Sequence, residues 1–303
     1  MMIDKLIGKI IEKENPSVVG LDPRLDYVPK HIWEECREKF GKTPKAVSEA
    51  FFMFNKEIID ATHDLIPAVK PQIAMYEEYG APGIDAYVRT IKYAKKCGLI
   101  VIGDIKRGDI ASTAEAYSRG HIGIVDIEGM RHEVYGEDFI TVNPYMGWDS
   151  IEPYIPDCRD NGKGLFVLVK TSNPMGGQFQ DLMCDGEPLH VKVGRMVQEW
   201  GEGFRGKYGY SSIGAVVGAT HPLEAAVLRK AMPNTFFLVP GYGAQGAGAE
   251  DIRSSFDQNG LGAIVNSSRG IIAAHLKTKK YDEKEFALAA RDAVLEMKND
   301  LKF

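Results

Sequence analysis

Eight unbroken apolar runs recur along the chain, and most end in a polar or charged residue before a helical stretch begins. They lie near residues 17–22, 65–70, 99–104, 139–143, 165–170, 213–220, 235–240 and 261–266. Strands buried on both faces read as continuous apolar runs, not as alternating ones. The stretches between them carry helical periodicity. Ala46, Val47, Ala50, Phe51, Phe54, Ile58 and Ala61 recur at helical spacings over 44–63, and Ala86, Val88, Ile91, Tyr93 and Ala94 do so over 85–97. Gly98 stands where a helix C-cap glycine belongs. Pro222 opens the helix after the sixth run, and 284–298 closes the chain as a helix. Strand–helix alternation without an antiparallel block predicts an α/β chain. Eight repeats predict a single (β/α)8 TIM barrel over residues 1–303. Three stretches stand outside this rhythm. Residues 27–43 read as a loop with room for a short helix, Asp149 and Glu152 as a capping box, and 175–189 as a surface excursion after strand 5.

Composition narrows the class. A length of 303 residues, 44% hydrophobic and 26% charged, is that of a soluble globular enzyme. A net charge of -5 with no lysine or arginine run predicts no nucleic-acid partner. Cys36, Cys97, Cys158 and Cys184 form no C-x-x-C pair, so a reduced, cytoplasmic setting and no metal centre are expected. The first fifteen residues mix lysine and glutamate with apolar positions and predict a short amphipathic helix rather than a signal peptide. No apolar run is long enough for a bilayer, so no membrane partner is expected.

Barrels of this type hold their active sites at the C-terminal strand ends. That rule gathers Asp22, Lys70, Asp104 with Lys106, Thr171 with Ser172, Pro240 with a glycine-rich loop, and Ser267, Ser268 and Arg269. Strand alternation puts Asp104 and Lys106 on one side of the third strand. Unlike charges alternate at successive strand mouths, so each group keeps its neighbours ionised. The loop 240–248 matches a dinucleotide fingerprint at Gly241, Gly243 and Gly246, but only one strand follows and it ends in Asn266, not in an acid. A phosphate site fits better. Glycines leave backbone N–H groups open to an anion, Gln245 can donate, and Arg269 can grip two oxygens. This loop is expected to act as a lid. His221 reads as a capping or packing residue, and Tyr145 and Trp148 as packing on the barrel rim.

The run Asp104-Ile-Lys106-Arg-Gly-Asp109-Ile, with Thr113 four residues on, resembles the signature of the orotidine 5′-phosphate decarboxylase family. Leu21-Asp22, Val69-Lys70-Pro, Thr171-Ser172-Asn-Pro, Pro240-Gly-Tyr-Gly-Ala-Gln245 and Ser268-Arg269-Gly follow in the family's order. The segment 142–149 and the excursion are similar to its longer bacterial group. The resemblance implies a cofactor-free decarboxylation of orotidine 5′-monophosphate to uridine 5′-monophosphate in de novo pyrimidine biosynthesis. Lys70, Asp104, Lys106 and Asp109 would form the catalytic charge network, and Lys106 would stabilise and protonate the C6 carbanion. Asp22 and Lys70 would hold ribose hydroxyls, and Ser172 the pyrimidine. Gln245 and Arg269 would hold the phosphate, with Pro240 and Ser268 beside the substrate. Asp109 and Thr113 would reach across a homodimer interface into the partner's site. Ser268 departs from the glycine of many shorter members. Three other readings stay open: a Mg²⁺-dependent sugar-phosphate decarboxylase or hexulose-phosphate synthase of the same superfamily, a Schiff-base aldolase using Lys106 or Lys170, and a non-catalytic phosphate-binding barrel.

Overall fold

The computed structural model describes residues 1–243 and 246–302. Eight parallel strands close into a barrel in chain order: β1 (Ser17–Leu21), β2 (Ala68–Pro71), β3 (Ile100–Arg107), β4 (Phe139–Val142), β5 (Gly164–Lys170), β6 (Ser211–Val217), β7 (Thr235–Pro240) and β8 (Ala263–Ser267). The unbroken apolar runs follow from this closure, since every residue of β1, β4 and β6 is buried. By packing, the chain falls into two compact units. One holds residues 10–105 and 267–302, the other 1–9 and 106–266.

In the first unit, Val18 pairs with Ala68, and Val69 with Val101, so β1, β2 and β3 run in direct register. The helix Pro44–Thr62 buries Ala46, Val47, Ala50, Phe51, Phe54 and Ile58, the predicted set except Ala61, and Thr43 caps it by accepting from the Ala46 N–H. Phe54 stacks on Phe286 of the closing helix at 5.2 Å. In the second unit, Thr141 pairs with Phe166, Gly214 with Phe166, Val216 with Leu238, and Val239 with Val265. The rings of Phe139 and Phe166 meet at 5.0 Å. The N-terminal helix Met2–Lys13 is amphipathic as expected, with Met2, Ile3, Leu6, Ile7 and Ile10 buried. Among the described residues, no helix is long and apolar enough to cross a membrane.

Four expectations change. The stretch 27–43 holds an eleven-residue helix, Lys30–Phe40, which buries only Ile32 and Cys36. Two apolar positions a turn apart are too few to announce a helix by periodicity. The helix expected from residue 85 starts earlier, at Gly80. The capping box at Asp149 and Glu152 does not form. The turn Trp148–Ser150 starts on Gly147, whose carbonyl accepts from Ser150 Oγ at 2.7 Å. Helix then restarts at Glu152 and again at Ile155, because Pro153 and Pro156 each lack the N–H that a continuous helix needs. Finally, two small antiparallel hairpins appear, Val125–Ile127 with Met130–His132 and Met183–Cys184 with Glu187–Pro188. The second lies within the excursion after β5, together with the short helix Gly177–Gln180.

Candidate active site

In the unit of residues 10–105 and 267–302, the structure brings Asp22, Lys70 and Asp104 together. Lys70 Nζ donates to Asp104 Oδ2 at 2.6 Å and lies 3.9 Å from Asp22 Oδ1. The side chains of Lys70 and Asp104 are 4% and 8% exposed, so this ion pair is largely dry. Burial opposes the Lys70 charge, but the Asp104 and Asp22 carboxylates and the Asp104 hydrogen bond outweigh it and hold the ammonium above the ordinary lysine value. Asp22 Oδ1 is buried without a hydrogen-bond partner among the described residues. A buried acceptor left in this way is costly unless a ligand donates to it. The end of β1 is held rigidly. Tyr76 Oη donates to the Leu21 carbonyl at 3.2 Å, and Asn55 Nδ2 donates to Tyr76 Oη at 2.8 Å.

Sequence reasoning missed Gln72. Its Nε2 donates to Asp104 Oδ2 at 2.9 Å, the oxygen that also takes Lys70. The signal was available, because Gln72 lies two residues beyond Lys70 and a strand places such residues on one side. The Gln72–Asp104 bridge extends the β2–β3 pairing to this point. In the same unit, the Ser268 carbonyl accepts from the N–H groups of Ile271 and Ile272, and the exposed Arg269 begins the turn Arg269–Ile272.

In the unit of residues 1–9 and 106–266, Lys106 sits near the end of β3 with an exposed side chain. Its φ is +44°, so the simple two-residue alternation of β3 does not carry through it. The left-handed region costs a non-glycine residue about 1–2 kcal/mol. Thr141 Oγ1 accepts from the Lys106 N–H at 2.9 Å, which ties this bend to β4. Asp109 Oδ1 accepts from the Ile110 N–H at 2.8 Å, and the Thr113 N–H donates to the Ile110 carbonyl at 3.0 Å. These contacts set the start of the helix Ala111–His121.

Thr171 and Ser172 follow β5. The Gly218 N–H donates to the Lys170 carbonyl at 2.8 Å, and a Cβ on Gly218 would fall 2.8 Å from Ser172 N. Glycine is therefore required where the end of β6 passes Ser172. His221 occupies the N-cap of the helix Pro222–Ala231 without capping it through its side chain; its Nε2 pairs with the Thr171 carbonyl at 3.1 Å. Tyr145 rests on Phe179 at 5.3 Å and Trp148 on Trp200 at 5.3 Å. Lys170 is buried and ion-paired to Asp181, unlike the free amine a Schiff base requires. The Pro240 carbonyl ends β7 and accepts from the Ala219 N–H at 2.8 Å. In the following loop the Gly243 N–H donates to the Ala247 carbonyl, and the Gly248 N–H to Asp251 Oδ2, each at 2.8 Å. Gln245, and with it the expected grip on phosphate, lies outside the described residues.

Comparisons with known proteins identify the family. The model of the "Orotidine 5'-phosphate decarboxylase / HUMPS family" matches residues 49–283. A relative from Clostridium tetani named orotidine 5′-phosphate decarboxylase is 46% identical over 99% of this chain and 98% of its own. One of the same name from Petrotoga mobilis is 46% identical over 100% of this chain and 98% of its own. The structure of Leishmania donovani OMP decarboxylase superposes with a TM-score of 0.71 at 28% identity, covering 98% of this chain and 99% of that one. The chain belongs to the orotidine 5′-phosphate decarboxylase / HUMPS family.

Proposed function

We propose that this protein decarboxylates orotidine 5′-monophosphate to uridine 5′-monophosphate and CO2 within pyrimidine biosynthesis. The observation that carries the reading is the buried Lys70–Asp104 pair, with Lys106 two residues further along β3. Breaking the bond from C6 to the carboxylate leaves its electron pair on C6. No ring carbonyl is conjugated with that orbital, so the protein must stabilise the charge. Lys106 supplies a fixed ammonium beside C6, donates its proton there, and is reprotonated from water. Asp104 stands where the departing carboxylate leaves, its Oδ2 taken by Lys70 and Gln72. No step needs an external electron sink.

The remaining roles are those that the family resemblance implies. Asp22 Oδ1, buried and without a hydrogen bond among the described residues, accepts a ribose hydroxyl, and Lys70 holds the other side of the sugar. Ser172 takes the pyrimidine, with Pro240 and Ser268 alongside. Arg269 and Gln245 take the phosphate, and the loop 240–248 closes over it. Asp109 and Thr113 serve the neighbouring site of a homodimer. Ile110, placed between them, is 54% exposed and suits such an interface. The whole chain works as one barrel domain in the cytoplasm. The test is the loss of orotidine 5′-monophosphate absorbance with the purified protein. A turnover that is unchanged by chelator is expected. A rate no greater than that of buffer contradicts the reading, and a rate abolished by EDTA favours a Mg²⁺-dependent member of the superfamily.

A further inference from the structure

The excursion after β5 carries none of the residues assigned to the substrate, yet it reaches back to the strand end that does. Its helix Gly177–Gln180 buries no residue, and Phe179 on it is 46% exposed. A cavity of about 560 Å³ adjoins it, lined by Leu168, Val193 and Met196 among others. Apart from the Phe179–Tyr145 ring contact, apolar packing does little to hold the helix, and polar contacts add to it. Gln180 Oε1 accepts from the Thr171 N–H at 3.0 Å, and Gln180 Nε2 donates to Thr171 Oγ1 at 2.7 Å. The Thr171 hydroxyl then donates to Asn173 Oδ1 at 2.6 Å.

Asp181 continues the contact one residue along. Its carboxylate takes Lys170 Nζ and lies 3.1 Å from His190 Nδ1. Lys170 and His190 are both buried. Residues 180 and 181 thus grip residues 171 and 170 in succession. A Cβ on Gly176 would stand 3.0 Å from Thr171 Oγ1 and 3.2 Å from Gln180 Oε1, so glycine lets the helix sit this close. With His221 on its carbonyl, Thr171 has its N–H, hydroxyl and carbonyl all engaged. Ser172 follows directly.

We infer that Gln180 is a positioning residue: its two-point hold on Thr171 orients Ser172 and thereby sets affinity for the pyrimidine ring. The inference rests on the reading that Ser172 takes the ring. Its signature is selectivity. A ligand with a base should feel the hold, and the same ligand without the base should not. Titration calorimetry with uridine 5′-monophosphate and with ribose 5-phosphate separates the two. Gln180→Leu removes both hydrogen bonds and should weaken the nucleotide about tenfold while changing ribose 5-phosphate by less than about twofold. Gln180→Glu should recover most of the loss, because a carboxylate still accepts from the Thr171 N–H and from the hydroxyl once it turns. Gly176→Ala, whose Cβ would press on Thr171 Oγ1 and Gln180 Oε1 and so disturb their contact, should repeat the selective loss and decides the matter if Gln180→Leu fails to fold. Equal weakening of both ligands, or of neither, overturns the inference. Ser172→Ala separates the two layers. If it spares the nucleotide, the ring contact itself is wrong; if it weakens the nucleotide selectively while Gln180→Leu does not, only the positioning role falls.

Discussion

The buried Lys70–Asp104 pair makes a prediction about stability that is independent of activity. At 2.6 Å the two charges attract by about 6 kcal/mol for an effective dielectric constant of about 20. Burying both ions consumes most of that attraction, whereas removing one partner strands the other in a dry site at a cost of about 3–5 kcal/mol. Lys70→Met should fall near the low end, because Gln72 still donates to Asp104 Oδ2. Asp104→Leu should also be cushioned, because Asp22 Oδ1 lies 3.9 Å from Lys70 Nζ and has no hydrogen bond among the described residues. The double variant Lys70→Met/Asp104→Leu removes both charges at once. It should cost at least about 2 kcal/mol less than the sum of the singles, although no variant of the three should turn over substrate. Guanidinium denaturation at neutral pH measures all four proteins. Additivity within about 0.5 kcal/mol would refute the reasoning. The pH dependence has a definite sign. Lys70 is held above its unfolded value, so its contribution is complete below about pH 10.4 and fades as pH rises through the folded value. The stability gap between wild type and Lys70→Met should be flat from about pH 6 to 9 and shrink only in strong alkali.

Two further outcomes are expected. Glu49, bonded to Arg89 at 2.7 Å and to Lys45 at 2.6 Å, has its carboxyl held down to about 2, chiefly by the Arg89 hydrogen bond. Its stabilising effect is present above the ordinary carboxylate range and lost as pH falls toward 2, so acid melting curves of Glu49→Gln should converge with wild type below about pH 2.5 and diverge above it. For the proposed sharing of sites across a homodimer, mixing equal amounts of Lys106→Ala and Asp109→Ala after dissociation should restore about a quarter of wild-type activity, since half the dimers would be mixed and each would have one intact site. Activity that stays at the level of the separate variants would place Asp109 and Lys106 in the same site.

The barrel was legible because each strand is buried on both faces, which prints an apolar run that few other folds require. The charge pattern was legible too. Asp22, Lys70 and Asp104 meet as their strand-end positions implied. Local backbone detail was not legible. Nothing in the residue types around Lys106 shows that it adopts a left-handed φ, because that bend depends on Thr141 of the neighbouring strand. Gln72 was passed over because a neutral amide next to a lysine carries no charge signal, though its spacing from Lys70 was sufficient. A short helix was foreseen within 27–43, but the eleven-residue extent of Lys30–Phe40 hid behind a polar surface. Pro153 and Pro156 redirected the helix start that the spacing of Asp149 and Glu152 suggested. The excursion after β5 read as a bare insertion because its hold on Thr171 runs through side chains nine residues apart.

The role of Lys106 is the central claim, and one measurement tests it most directly. Single-turnover conversion of orotidine 5′-monophosphate should be compared in wild type and Lys106→Ala, with uridine 5′-monophosphate affinity and melting temperature as controls. Loss of both the fixed charge and the proton donor should slow the chemical step by at least about 10,000-fold while leaving nucleotide affinity within about tenfold. A Lys106→Ala enzyme that folds, binds the nucleotide and turns over within about tenfold of wild type would contradict the account.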